Sequence, residues 1–262
     1  MMELNEMCHL LKQSLNRLAM KIISAILLGL HLTASPIIET PKVSSSVEMW
    51  QSKGQWETLF DGKDASKHWT SVKGGGFPTQ GWKVEDGVLK LVPGQKGGDI
   101  ISKKVYSDFI LEIEFKLDKN TNSGVKYLVS PLQTKAGKVE LNGPEYQMID
   151  DFNHESVKGG ISPKTETGSA YLLYAPNKNK VLKPHGQWNK ARIVVKGNLV
   201  EHWLNGKKIL SYERGTDEFR ALVAGTKFEM YSSRYGEAIS GHIMLTDHQD
   251  ASSFRNIRIK RI

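Results

Sequence analysis

From Gly54 to Ile262 apolar and polar residues alternate in short runs, and clusters of Gly, Asn, Asp and Pro separate the runs. A period of two marks a strand with one buried and one wet face. The clearest run is DFILEIEFKLD, which puts Phe109, Leu111, Ile113 and Phe115 on one side and Glu112, Glu114 and Lys116 on the other. GWKVEDGVLKLVPG reads as two strands about a Glu85-Asp86-Gly87 turn. WLNGKKIL sets Asn205-Gly206 between two apolar runs, a strong hairpin signal. SGVKYLVS, EYQMID, ARIVVKG, LVEHWL, KKILSYE, GHIMLTD and FRNIRIKRI continue the series, while TDEFRALVAG has room for one short helical turn. Many short strands with regular turns predict an all-β, two-sheet sandwich or jelly roll over residues 54–262.

The segment ahead of this region follows a different pattern. MKIISAILLGLHLTASP begins at Met20 with one Lys, runs apolar from Ile22 to Leu32, and ends in the small residues Thr33, Ala34 and Ser35. That order is the signature of a secretory signal peptide. The apolar run is too short to span roughly 30 Å of hydrocarbon comfortably. Residues 1–35 therefore read as an upstream extension plus signal peptide, and residues 36–53, rich in Pro and Ser, as a linker. The expectation is a periplasmic or secreted bacterial protein with no stable membrane insertion after cleavage. Cys8, the only cysteine, precedes the apolar run, so the mature chain would lack thiol nucleophiles and Cys-ligated metals. The formal net charge is +8, yet the cations are scattered and form no basic helix or finger pattern. A solvated basic surface explains the charge without a nucleic-acid partner.

Candidate chemistry centres on GPEYQMIDD, residues 143–151. On an extended backbone Glu145 and Gln147 share one face while Tyr146 and Met148 share the other. A carboxylate beside an amide can grip a sugar. Glu145 and Asp150 also suggest the carboxylate pair of a laminarinase-type glycosidase, but they stand five apart and would need a bulge to meet. Gln147 between them cannot titrate. In LVEHWLNG, Glu201 and Trp203 share one face and Val200, His202 and Leu204 the other. His202 between apolar neighbours suits a hydrogen-bonded core histidine at least as well as a site residue, and Trp203 suits a core anchor or a sugar platform. Tyr171 and Tyr174 of YLLYAP would fall on opposite strand faces. Asp247 next to His248 can fix the histidine tautomer only if the chain turns there. His154 joining Asp150 is a weak metal signal, so a divalent metal is allowed but not required.

Six segments taken in order, WETLFDGKD, GWKVEDGVL, NSGVKYLVS, GPEYQMIDD, QWNKARIVVKGNLVEHWLNGK and FRNIRI, resemble the 3-keto-disaccharide hydrolase domain family. The resemblance covers about Gln55 to Ile262 and implies a concanavalin-like (lectin/glucanase) β-sandwich acting on carbohydrate. It departs at Leu245-Thr246-Asp247-His248-Gln249, where the family commonly carries an LQDHG-like segment. The implied chemistry is cleavage of a sugar already oxidised at C3, by removal of the C2 proton, β-elimination at C1 and addition of water. This needs a base, a donor to the enolate oxygen and an acid for the leaving group, not a spaced carboxylate pair. With that resemblance, Glu145, His202 and His248 are the candidate acids or bases. Gln147, Asn122 and Lys126 would orient hydroxyls or the enolate oxygen, Trp203 or Tyr174 would stack on a ring, and Asp247 or Asp150 would position a histidine or a metal. The alternatives are a non-catalytic carbohydrate-binding module and a laminarinase-type hydrolase acting on unoxidised glucan.

Overall fold

The computed structural model describes residues 54–231 and 234–262. The expected signal peptide, the linker and Cys8 lie outside the described residues. The strands are β1 (Trp56–Phe60), β2 (Trp69–Ser71), β3 (Trp82–Glu85), β4 (Val88–Leu91), β5 (Ile100–Ser102), β6 (Phe109–Leu117), β7 (Asn122–Gln133), β8 (Val139–Asn142) and β9 (Glu145–Ile149). After a long connection come β10 (Asn189–Lys196), β11 (Leu199–Leu204), β12 (Lys207–Glu213), helix α1 (Asp217–Ala224), β13 (His242–Leu245) and β14 (Ser252–Arg261).

These strands form two antiparallel sheets, the expected jelly-roll sandwich. The larger has eight strands in the order β12-β11-β10-β6-β14-β4-β3, with β1 also paired to β14. The smaller runs β2-β5-β13-β7, and β7 then pairs with β9 through residues 122–126 and with β8 through residues 130–133. The alternating residues meet between the sheets: Phe109, Leu111, Ile113 and Phe115 of β6 face Val125 and Tyr127 of β7 and Tyr146 and Met148 of β9 in one apolar core. Burying this apolar surface is the main force holding the sheets together.

Turn chemistry sets the hairpins. Asp86-Gly87 and Asn205-Gly206 both have positive φ at each central residue, the geometry whose twist matches paired strands. Helix α1 is longer than the single turn expected at TDEFRALVAG. The Thr216 hydroxyl accepts from Phe219 N–H at its start, Asp217 and Glu218 occupy its first turn, and Gly225 follows its end. Capping and the burial of Phe219 thus extend a weak sequence signal into eight residues.

One irregularity shapes the smaller sheet. Leu128 of β7 has φ of 51°, and the register between β7 and β13 shifts there. The extra residue bends the strand, so that Asn122, Gly124 and Lys126 on one side of the bulge line the outer face with Glu145 and Gln147 of β9.

Candidate active site

Register places the site residues. Lys126 lies directly opposite Glu145, Gly124 opposite Gln147, and the Gln147 amide donates to Asn122 Oδ1 at 3.2 Å. On the other flank of β7, Thr246 follows β13, and both its N–H and its hydroxyl donate to the Gly124 carbonyl, at 3.1 and 3.3 Å. The outer edge of β9 is closed by residues 168–171, whose Tyr171 N–H donates to the Glu145 carbonyl at 3.0 Å. The expected Glu145–Gln147 row therefore exists, and both of its members are buried.

Glu145 is the unusual member. Its residue keeps only 7% of its exposure, and its Oε1 has no hydrogen-bond partner. Native structures leave few buried polar atoms in that condition, because desolvation is then uncompensated. Its carboxylate lies over Gly124, where a Cβ would sit well inside contact distance of Oε1. Glycine at 124 is thus the space the carboxylate occupies. Burial raises the Glu145 carboxyl above the ordinary range, against the lowering pull of Lys126, His248 and Lys227, with Asp99 adding to the rise. Tyr171 feels Glu145 in turn, its phenol being raised by burial and by that carboxylate, and Lys227 Nζ stands 4.8 Å over its ring. The assembly is one desolvated carboxyl with three basic groups, the phenols of Tyr171 and Tyr235 and one further carboxylate within electrostatic reach.

Several sequence expectations are corrected here. His202 is fully buried between the sheets. Its Nδ1 faces the Gly168 carbonyl at 2.9 Å, which can only accept, so Nδ1 carries the proton and Nε2 accepts from Tyr127 Oη at 2.9 Å. Tyr127 Oη in turn meets Tyr212 Oη at 2.5 Å. Burial pushes the imidazole down to about 4, so the ring is a neutral clip joining the sheets and not an acid or base beside Glu145. Trp203 sits on the outer face of the larger sheet, its Nε1 donating to Glu201 Oε2 at 2.9 Å. It cannot stack on a ligand beside Glu145. Tyr174 is stacked on Tyr212 with ring centroids 4.8 Å apart, and the aromatics whose phenols feel Glu145 are Tyr171 and Tyr235.

Asp150 is also removed from the chemistry. Its carboxylate accepts from the N–H groups of Asn120 and Phe152 and from the Asn153 amide, stapling the chain that leaves β9. The histidine near it is His185 at 3.9 Å, whereas His154 Nδ1 is engaged with Ser156. Asp247 likewise holds loops, accepting from Gly98 N–H and Gln249 N–H at 2.7 Å each. Those contacts set the turn that leaves neighbouring His248 exposed and within electrostatic reach of Glu145. Among the described residues no group of three or more His, Cys, Asp or Glu is placed to hold a metal ion, and no helix is long and apolar enough to cross a membrane.

Asp99, Lys227 and Gly124 carry no role in the sequence reading, and Tyr171 enters it only beside Tyr174, without an assigned role. An isolated glycine inside the SGVKYLVS strand was the one available signal. Asp99 precedes β5, its Oδ1 accepting from Asp247 N–H at 2.9 Å, and Lys227 opens a 3-10 turn after α1.

Known proteins resemble the chain in sequence and in fold. The model of the 3-keto-alpha-glucoside-1,2-lyase-like domain matches residues 55–260. A 3-keto-disaccharide hydrolase of Bacteroides thetaiotaomicron is 32% identical, with 78% of this chain and 77% of that protein covered. Two crystal structures of provisionally named glycosyl hydrolases from Parabacteroides distasonis are similar in fold. One has a TM-score of 0.66 at 31% identity, covering 82% of this chain and 96% of its own. The other has a TM-score of 0.58 at 27% identity, covering 79% and 100%.

Proposed function

The chain belongs to the 3-keto-alpha-glucoside-1,2-lyase-like domain family, and from that premise we propose that it cleaves 3-keto-glycosides at Glu145. The observation that carries this reading is the buried Glu145 carboxylate with an unpartnered Oε1 over Gly124. A desolvated carboxylate with a raised pKa is a stronger base than one in water. The substrate supplies a matching acid, since a ketone at C3 acidifies the proton on C2.

In this reading Glu145 takes the C2 proton, and the C2–H electron pair moves toward C3 as the ketone oxygen gains negative charge. Lys126, directly across the β7–β9 pair, stabilises that oxygen. The electrons then form the C1–C2 double bond, the C1–O bond breaks, and exposed His248 supplies the proton to the departing oxygen. Water adds at C1 and gives its proton to His248, Glu145 returns to C2 a proton exchanged meanwhile with solvent, and the sum is hydrolysis. Asn122 and Gln147 orient sugar hydroxyls, Tyr171 and Lys227 flank Glu145, and Asp247 sets His248 through its loop. The laminarinase-type alternative loses support because Asp150 is committed to loop donors.

The test is turnover of a 3-keto-disaccharide and its unoxidised parent in D₂O, with and without chelator, followed by NMR. Deuterium entering C2 of the keto sugar, with the parent untouched, is the expected result. Turnover with no C2 label and no elimination product overturns the mechanism. Cleavage of the parent favours the glycosidase, and saturable binding of both sugars without turnover favours a binding module. The charge, apolar and small-residue order of residues 20–35 supports export to the periplasm or beyond. Fractionation and N-terminal sequencing check this, and an uncut chain confined to the cytosol overturns it.

A further inference from the structure

The outer face of the larger sheet carries a second constellation, on the side of the sandwich away from Glu145. Across one rung the paired strands present Thr58 of β1, Arg258 of β14, Glu112 of β6, Arg192 of β10 and Trp203 of β11. Glu112 sits at the centre with its side chain 2% exposed. Arg192 Nε and Nη2 donate to its Oε1 at 2.9 and 2.5 Å, and Arg258 Nε and Nη2 donate to its Oε2 at 2.9 and 2.6 Å. Lys190 Nζ reaches the same Oε2 at 2.9 Å. One carboxylate thus answers three cations, and their side chains remain about two-fifths exposed.

The geometry leaves donors unused. A guanidinium held through its Nε–Nη2 edge keeps its Nη1–Nη2 edge free, and that edge too presents two parallel N–H donors to an oxyanion. Arg258 lies 4.3 Å from the Trp56 ring centroid and Arg192 5.9 Å from that of Trp203, so aromatic rings and Glu112 together hold both forks in place. Pre-set side chains lose less entropy on binding. A cavity of about 430 Å³ opens at this spot, lined in part by Lys190, Arg258 and Glu112.

We propose that this face is a secondary binding site for an acidic glycan, one bearing carboxylate or sulfate groups, with Lys190, Arg192 and Arg258 as its anion contacts. One strand, β6, lies between Arg192 and Arg258, so their backbones stand two strand spacings, about 9.6 Å, apart, and two anion contacts can engage neighbouring parts of one chain. Asp61 and Glu114 also line the cavity. They can accept hydroxyl donors, which each residue of a glycan presents and a DNA backbone lacks, and this favours glycan over DNA.

The test is affinity electrophoresis of the full chain in polygalacturonate, dextran sulfate, unmodified dextran and oligo-dT. Retardation by one or both acidic glycans, at least tenfold weaker in Lys190→Gln/Arg192→Gln while keto-sugar turnover is unchanged, is the expected result. The two acidic arms separate carboxylate from sulfate recognition. Should the double variant unfold, Lys190→Gln alone is read for an at least threefold weakening. Equal retardation by plain dextran, tighter binding of oligo-dT, binding that the folded variants leave unchanged, or no retardation by either acidic glycan overturns the proposal.

Discussion

Glu112 and Glu145 are both buried glutamates on the outward face of a sheet, and their surroundings drive them in opposite directions. Burial disfavours the charge of each, but Glu112 is clasped by Lys190, Arg192 and Arg258, and these hold its carboxyl down to about 2. Glu145 has basic groups around it without a hydrogen bond to Oε1, and its carboxyl is raised. Burial alone therefore does not mark a reactive group. What distinguishes the two is whether the lone pairs already have donors. Glu112 is spent on structure, and Glu145 has bonding capacity left for a ligand.

Substitutions can break this contrast, beginning with the largest effect. Glu145→Gln should lower kcat on a 3-keto-glycoside by about 10²–10⁴, the usual range for a lost general base, with the melting temperature equal or higher. Steady-state kinetics and calorimetry on one preparation check both parts. Gly124→Ala should cost on the order of 10² in kcat, because the added Cβ displaces the carboxylate and small misplacements are expensive. A fully active Gly124→Ala enzyme would remove the carboxylate cradle from the mechanism.

Glu112→Gln should leave kcat unaltered and destabilise the fold by about 2 kcal/mol, read from urea unfolding. That is less than the ~3–5 kcal/mol for breaking a buried pair, since the three cations are partly exposed and screened. His202→Leu should keep the kcat of the folded protein and cost about 1–2 kcal/mol, because the Gly168 carbonyl and Tyr127 hydroxyl lose a partner. Loss of turnover without loss of stability would return His202 to the reaction.

The smallest effect lies in the pH dependence of stability, where the signs oppose. Glu112 has a folded pKa below its ordinary value of 4.5, so its stabilisation is complete above that value and is lost as pH falls toward about 2. Glu145 has a folded pKa above 4.5, so the folded state holds its proton longer. Its ionisation costs stability as pH rises from 4.5 through the raised value. Unfolding curves should show Glu112→Gln flattening the acid limb and Glu145→Gln improving stability on the neutral side. Parallel curves for the two variants would erase the distinction.

Much of the fold was legible because strand alternation and turn residues are local. Phe109, Leu111, Ile113 and Phe115 announced the buried face of β6, and Asn205-Gly206 announced its hairpin. Helix α1 was underread because its length rests on the Thr216 cap and on Phe219 packing. The site was legible only in part. Alternation put Glu145 with Gln147, and strand pairing then brought Asn122 and Lys126 beside them. Alternation also separated His202 from Trp203, but it could not say which face was core. Asp150 and Asp247 looked chemical until their backbone donors were visible.

By itself the sequence determined the strands, their turns, the family and the pairing of Glu145 with Gln147 on one face, since these depend on side-chain period and ordered motifs. Tertiary structure decided which buried groups were left with unused bonding capacity. His202 found both partners across the sheets, Glu112 found three cations from neighbouring strands, and Glu145 was set over Gly124 with one oxygen unanswered. Those outcomes depend on atoms brought together from distant parts of the chain, and a local pattern carries no information about the donors that arrive from elsewhere.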